Sequence, residues 1–466
     1  MREFDVVVAG GGSAGCVVAS RLSENPDCSV CLLEAGPDYG PYDEGGWPAD
    51  ILDARELAFS HSWERSDADD RSQLRARILG GCSSHNACAV LPGARPDYDE
   101  WGPGWTADEL QPYLDRATET VRTRRSTEEE LAPISRAVMD SAPGLGLPRL
   151  DDATEDSAGV GPFPVNAVGS IRWNAAFAYL DPARSRPNLT IRADTLVDRV
   201  RLDGERATGV VLADGTEIDA RRVVVTASSY GSPAILLRSG IDELPVGENL
   251  IDHPGTGVGW APTEHLQKET RAHEQRYPLF MAQIIVKACS RQCPEGLWDI
   301  HLFPATDPAK DELGHPTGSY ELSAAVFALK PRSRGRVRLA GPDPNAPPVI
   351  EHGFLTDPSD LDVLVDGLDL LRRLGAGDAM SRYTSGEVRP GLDVDPEAYI
   401  RQTVRGYFHP VGTCAIGSVV DAGGAVLGYE NLYVADASVM PTMPRANTNL
   451  STLAVAEKIA AQFLAG

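Results

Sequence analysis

Residues 4–36 read "FDVVVAGGGSAGCVVASRLSENPDCSVCLLEAG". Asp5–Ala9 is a short β-branched run of the kind that forms a buried parallel strand. Gly10, Gly12 and Gly15 follow as G-x-G-x-x-G, with Ser13 and Ala14 inside the motif, and "CVVASRLS" then reads as a helix. The glycines permit a tight turn and let backbone N–H groups approach a pyrophosphate at the helix N-terminus. A second strand, Ser29–Leu33, ends at Glu34 and Ala35. Glu34 lies 19 residues past Gly15, near the spacing at which a carboxylate meets a ribose 2′-hydroxyl.

A lone glycine motif is a weak signal, because glycine turns arise for many reasons. Strand, glycines, helix, strand and acid in that order form a stronger one, and they predict a dinucleotide site. The acid favours an unphosphorylated ribose, so FAD or NAD rather than NADP. Cys28 and Cys31 bracket the second strand, either as a redox pair or as plain packing.

The chain has 466 residues and a net charge of −24. That length predicts two or three structural units and a core that needs no metal or disulfide staple. The acidic surface disfavours nucleic acid and anionic lipid as partners. No apolar run reaches the length of a membrane span. The opening "MREFDVVVAG" carries no basic leader with a cleavable apolar segment, so a cytoplasmic protein is expected. Eight cysteines in so long a chain suggest no disulfide framework.

Residues 80–88, "GGCSSHNAC", place His85 three residues from Cys82 and from Cys88. Metal ligation is one reading, although residues three and six apart do not lie squarely on one helical face and no fourth ligand is obvious. Packing is the other, and no metal is expected. His409 stands in "GYFHPVGTCAIG", and Asn447 in "RANTNLSTLAVAEKIA" just ahead of an apolar helix. Read as residues alone, a core histidine and a helix cap account for them. Cys414 reads as a buried thiol or a nucleophile, and His253 in "LIDHP" as structural.

Further stretches agree in order. They are "RARILGGCSSHNACAVLPGARPDYDEW" (75–101), "ASSYGSPAILLRSGI" (227–241), "VGENLIDHP" (246–254), "KPRSRGRVRLAGPDPNAPPVI" (330–350), "YFHPVGTCAIG" (407–417) and "NLYVADASVMPTMPRANTNLSTLAVAEKIA" (431–460). Together with residues 4–36 they resemble the glucose–methanol–choline (GMC) oxidoreductases. The resemblance runs from about residue 4 to 463 and is weakest near 120–160 and 255–320.

That resemblance implies FAD, held by Gly10, Gly12, Ser13, Ala14, Gly15, Glu34 and Ala35 in the first segment. It adds Gly80, Gly81, Ser83, His85, Asn86 and Ala87 in the second, and Val197, Asp436, Ala437 and Thr448 elsewhere. Val197 would touch adenine through its backbone, and Asp436 would accept a hydrogen bond from the ribityl or pyrophosphate region. The choline-oxidase-like members match best. In them the histidine at the position of His85 is bonded to the flavin 8α-methyl, against an alternative of a histidine simply packed on the ring. The resemblance makes His409 and Asn447 the catalytic pair. His409 would take the hydroxyl proton of an alcohol, Asn447 would support the alkoxide, and hydride would pass to flavin N5. The partners implied are a small-molecule alcohol and O2 or another electron acceptor, with a homodimer left open. A dehydrogenase with a different acceptor, and a lyase that holds FAD structurally, stand as alternatives. Choline itself is disfavoured, since "HEQRYPLFMAQIIVKACS" has few aromatics and Glu274 as its nearby carboxylate.

The expected fold is α/β: an FAD-binding, Rossmann-like domain plus an α+β substrate domain with an antiparallel sheet. The FAD domain would be discontinuous, over 1–155, 186–254 and 401–466, with an excursion at 156–185 and the substrate domain at 255–400. Strands are expected at "LTIRA", "LVDRVRLDG", "ATGVVLA" and "RRVVVTAS", then a helix at "SPAILLRS". The substrate sheet would use "FMAQIIVKA", "YELSAAVFAL" and "GRVRLA", with "DPSDLDVLVDGLDLLRRLG" as a helix.

Overall fold

The computed structural model describes residues 3–63, 73–281, 283–310 and 315–465. The sequence also predicts a loop-rich, proline-bearing excursion at 36–75; part of it, and Ala282 in one expected strand, lie outside the described residues. The chain opens with β1 (Phe4–Ala9), α1 (Ser13–Leu22) and β2 (Val30–Leu33). A helical stretch and β3 (Gly159–Pro162) precede β4 (Leu189–Arg192), β5 (Val197–Asp203), β6 (Arg206–Leu212), β7 (Glu217–Val225) and α2 (Ser228–Arg238). Then come β8 (Pro254–Pro262), β9 (Ile284–Ala288), β10 (Ile300–Lys310), β11 (Pro316–Ala328) and α3 (Pro358–Gly375). The chain closes with β12 (Thr384–Arg389), β13 (Arg405–Gly406), β14 (Leu432–Val434) and α4 (Thr448–Ala465).

Two sheets result. The first runs β4-β2-β1-β7-β6-β5, with β14 on the far half of β7. Its β4, β2, β1, β7 and β14 neighbours are parallel, and β5–β6–β7 form an antiparallel meander. From Val6 onward β1, and all of β2, are apolar continuously, as strands covered on both faces are, and Val6, Val7, Val8, Val30, Cys31 and Leu32 are fully buried. The second sheet is antiparallel throughout, in the order β12-β8-β11-β10-β9-β3 with β13 on β8. The α3 helix covers one face of it with Leu361, Leu364, Leu368, Leu371 and Leu374. Asp357 caps that helix by accepting the Ser359 N–H at 2.9 Å.

Three sequence expectations change. "GRVRLA" does not join the second sheet. Arg336–Arg338 pairs with Val349–Glu351 alone, and its alternate arginines turn outward onto Glu351. β8, "PGTGVGWAP", offers no β-branched pattern and was not expected. Two of its three glycines are steric necessities: a Cβ on Gly255 would lie 2.2 Å from Phe327 Cδ1, and one on Gly257 would lie 2.6 Å from the Ala324 carbonyl oxygen. β10, also not expected, contains Pro304 and Pro308. They are tolerated because β9 pairs with β10 only through Leu302, which leaves an edge beyond.

Candidate active site

The glycine loop is shaped by contacts. Gly10 has φ +111° and sits against Thr226, where a Cβ would lie 2.6 Å from the carbonyl oxygen. Gly12 is the N-cap of α1 and brings no capping side chain, which leaves the first helical N–H groups facing outward. Glu34 is buried, and its two carboxylate oxygens accept the N–H of Gly11 and of Gly36, each at 2.8 Å. Burial lifts its pKa to about 7 against those two hydrogen bonds. The second glycine pair docks on the first: the Gly80 N–H donates to the Gly11 carbonyl at 2.8 Å, and a Cβ on Gly81 would lie 2.6 Å from Gly12 Cα. Thr195 N–H donates to the Glu34 carbonyl at 2.7 Å, which draws Val197 toward the same end of the sheet. Ser13 at the start of α1 donates to Asn449 in the first turn of α4, so both helix N-termini and Thr448 converge here.

His85 follows a short 3₁₀ turn, Gly81–Ser84. It is buried, and Nε2 makes no hydrogen bond. Burial lowers its pKa to about 4, opposed by a hydrogen bond to the Ser60 backbone, so the ring is neutral at neutral pH. The thiol of Cys88 accepts from Arg172 Nη1 at 3.7 Å, and a guanidinium beside a sulfur is hostile to a cation. No group of three or more metal-ligating side chains occurs among the described residues. Asn86 Oδ1 accepts the Cys88 N–H at 3.0 Å across Ala87, and the Ser83 hydroxyl oxygen accepts the Ala175 N–H.

His409 and Asn447 are brought together from 38 residues apart: Asn447 Nδ2 lies 3.2 Å from His409 Nε2. On the other side, His409 Nδ1 lies 3.1 Å from His253 Nδ1, and His253 Nε2 lies 3.2 Å from the Pro444 carbonyl oxygen. That carbonyl can only accept. His253 Nε2 therefore carries the proton and its Nδ1 is bare, so His409 Nδ1 carries the proton and its Nε2 is bare. The amide of Asn447 must then present N–H. Burial pushes His253 to a pKa of about 3, and it pushes His409 well below the usual histidine range, helped by the Arg75 guanidinium. Asp252 anchors the loop: its Oδ1 accepts the N–H of Tyr407 at 3.2 Å and of His409 at 3.0 Å.

The comparisons with known proteins decide the class. The descriptions of GMC oxidoreductases match residues 4–255 and 331–456. The chain belongs to the GMC oxidoreductase family. Like other GMC members it is an FAD-dependent alcohol oxidoreductase. It is 32% identical to a 5-(hydroxymethyl)furfural oxidase of Methylovorus sp. (strain MP688), covering 99% of this chain and 98% of that protein. It is 30% identical to a choline oxidase of Arthrobacter globiformis, covering 98% of this chain and 94% of that protein. Among solved structures, pyridoxine 4-oxidase from Mesorbium loti matches with a TM-score of 0.87 and 27% identity over 100% of both chains.

FAD fits the site of this GMC chain on its own observations. The uncapped start of α1 offers free N–H groups to a pyrophosphate, Glu34 fixes the glycine loop beside it, and the orphaned Nε2 of His85 is available to the flavin ring. The carboxylate of Asp436 accepts the N–H of Ser228 at 2.8 Å and of Ser438 at 2.8 Å, and the hydroxyls of Ser232 at 2.6 Å and Ser438 at 2.5 Å. Those four bonds pin the start of α2 to the 436–440 turn. Ala437 in that turn accepts the Gly412 N–H. Glu274 is also engaged, accepting from the Tyr320 hydroxyl at 2.6 Å. Among the described residues, no helix is long and apolar enough to cross a membrane.

His253, Asp252 and Tyr407 were not legible as site residues. The signals were present in the adjacent acid and histidine of "LIDHP" and the aromatic pair before His409, but neither has a chemical meaning until the loops meet.

Proposed function

We propose that this chain oxidises a primary alcohol on an aromatic ring to the aldehyde, with O2 as electron acceptor. The observation that carries the reading is the hydrogen-bond chain from Pro444 to Asn447, which leaves the Nε2 lone pair of a neutral His409 as the proton acceptor. The substrate hydroxyl displaces Asn447 from that lone pair and delivers its proton to Nε2. Asn447 Nδ2 then donates to the oxygen as negative charge develops there. Asp252 holds the His409 backbone in place during the transfer. FAD supplies the acceptor for the hydrogen leaving carbon as hydride.

The aromatic substrate is supported by the rings beside the pair: Tyr407 packs 3.6 Å from Phe327 and 5.5 Å from Phe303 by centroid. The furfural-alcohol and pyridoxine oxidases among the relatives agree with it. The test is anaerobic mixing of the FAD-loaded enzyme with aromatic and aliphatic primary alcohols. Bleaching of the flavin absorbance by the aromatic set supports the reading, followed by peroxide release in air. A flavin that stays oxidised with every alcohol would favour the lyase alternative, and bleaching without reoxidation by air would favour a dehydrogenase.

We also propose that His85 carries the flavin, since its Nε2 is unprotonated and unpartnered. Acid precipitation should leave the yellow colour on the pellet and map it to the His85 peptide. Colour in the supernatant sinks the covalent link and leaves the His409 reading untouched.

The pH dependence follows from the direction of the His409 shift. A depressed pKa means the base stays unprotonated through pH 6.5, so the acid limb of kcat/KM should lie below the ordinary histidine value. A limb centred at or above pH 7 would contradict this environment.

A further inference from the structure

The strap that leads into Asn447 belongs to no strand or helix. Residues 441–446 lie between the 436–440 turn and α4, and Pro441 and Pro444 bring no N–H. Met443–Ala446 are buried, so their carbonyls need donors from elsewhere, and side chains supply them one by one. Asn249 Nδ2 donates to the Pro441 carbonyl at 3.2 Å, Trp101 Nε1 to Thr442 at 3.1 Å and Lys330 Nζ to Met443 at 3.0 Å. His253 Nε2 donates to Pro444 at 3.2 Å, and Trp298 Nε1 to Arg445 at 3.3 Å. On its other side Arg445 is held by Asp97, which accepts its N–H at 2.6 Å and pairs with its guanidinium.

Trp298 thus grips the peptide two residues before Asn447, and it does so from the substrate sheet. It is 2% exposed. Next to it the Asp299 N–H donates to Ala288 at 3.0 Å and the Leu329 N–H to Asp299 at 2.8 Å, so the β9–β10–β11 ladder continues up to the indole. The Lys287 ammonium lies over the ring, 4.1 Å from its centroid. Asn447 Oδ1 has no hydrogen-bond partner among the described residues. Where the backbone places that side chain therefore decides whether Nδ2 meets His409.

We propose that Trp298 is a positioning residue for Asn447: its indole N–H fixes the Arg445 carbonyl, and with Asp97 on the other side it sets the backbone from which Asn447 reaches His409. The second sheet, which carries Phe303 and Phe327 beside the pair, is thereby tied to the residue that supports the alkoxide. This inference rests on the reading of His409 and Asn447 as the reacting pair.

Trp298→Phe removes the N–H and keeps an aromatic ring under Lys287. At saturating alcohol the rate constant of flavin reduction should fall about fivefold to tenfold, the effect of one lost hydrogen bond, with KM changed less than about twofold. 3-Benzothienylalanine at the same position fills the indole volume without the N–H and should give the same loss; a wild-type rate with it would overturn the proposal in favour of packing. In an Asn447→Ala background Trp298→Phe should change the rate less than about twofold, because the side chain it places is gone, while the melting temperature should fall equally in both backgrounds. Lower melting at an unchanged rate, a KM rise at an unchanged rate, or equal rate losses in both backgrounds would each overturn it. A crystal structure of FAD-loaded Trp298→Phe reads the same point without turnover. Asn447 Nδ2 drawn beyond hydrogen-bonding distance of His409 Nε2 supports the proposal, and the pair at its wild-type separation overturns it. If no alcohol bleaches the wild-type flavin, the catalytic reading fails, while that crystallographic distance still decides whether Trp298 places Asn447.

Discussion

His409→Ala should lower the rate constant of flavin reduction by alcohol about 10³-fold, within the range lost when a positioned general base is removed. The size follows from the site's isolation. His253 Nδ1 is turned toward His409 rather than toward the substrate, and Asn447 has only donors on that side. Asp252 Oδ1 is taken by two backbone N–H groups, but Oδ2 is buried without a partner and burial raises the carboxyl pKa to about 7, so Asp252 is the neighbour that would take the proton if any did. The substitution leaves the glycine loop, Glu34 and His85 unaltered, so flavin content should match the wild type. Stopped-flow bleaching under anaerobic conditions, with flavin per protein measured on the same sample, checks both halves. A loss below about tenfold at full flavin content would mean that another group takes the proton.

How much of this was readable beforehand differs from residue to residue for physical reasons. The glycine loop was legible because each glycine answers a local steric demand that a strand-to-helix turn imposes, and Glu34 lay at the expected distance from it. His409 and Asn447 were legible only through the resemblance. Their own surroundings in sequence are those of a core histidine and a helix start, and the loop that joins them closes over 38 residues. The role of His253 depends on a carbonyl 191 residues away, a relation no local pattern encodes. Asp436 could not be placed locally either: a carboxylate after a short strand suggests a ligand contact, and only the structure shows its oxygens also held by one serine in α2 and one in its own turn. β8 and β10 escaped because glycine and proline argue against strands in general. Here a stacked phenylalanine on one side and an unpaired edge on the other remove the objection.

Gly15→Ala should yield a protein that purifies without FAD and melts earlier, whereas Gly12→Ala should lose FAD affinity while the cofactor-free protein keeps its melting temperature. The difference lies in what each added methyl meets. At Gly15 a Cβ would sit 1.8 Å from the Gly10 carbonyl oxygen, with Thr226 Oγ1 at 3.0 Å. Both are held by the packing of β1, β7 and α1, and the Thr226 hydroxyl donates to that same carbonyl at 2.7 Å. Neither can move without parting strand from helix, and overpacking of a fixed core is destabilising by about 1–3 kcal/mol or more. At Gly12 the backbone is in an extended conformation open to any residue, and the nearest atom is Gly81 Cα at 3.8 Å, an ordinary contact. The protein alone has room for that methyl. If FAD lies against the start of α1, its pyrophosphate needs the same room for close approach to the backbone. Melting curves of the cofactor-free proteins separate the two effects, and FAD titration of each measures the second. A Gly12→Ala protein that binds FAD as tightly as the wild type would show that the pyrophosphate does not approach the chain at this glycine. A Gly15→Ala protein with unchanged melting would show that the strand–helix junction yields where the structure holds it tight.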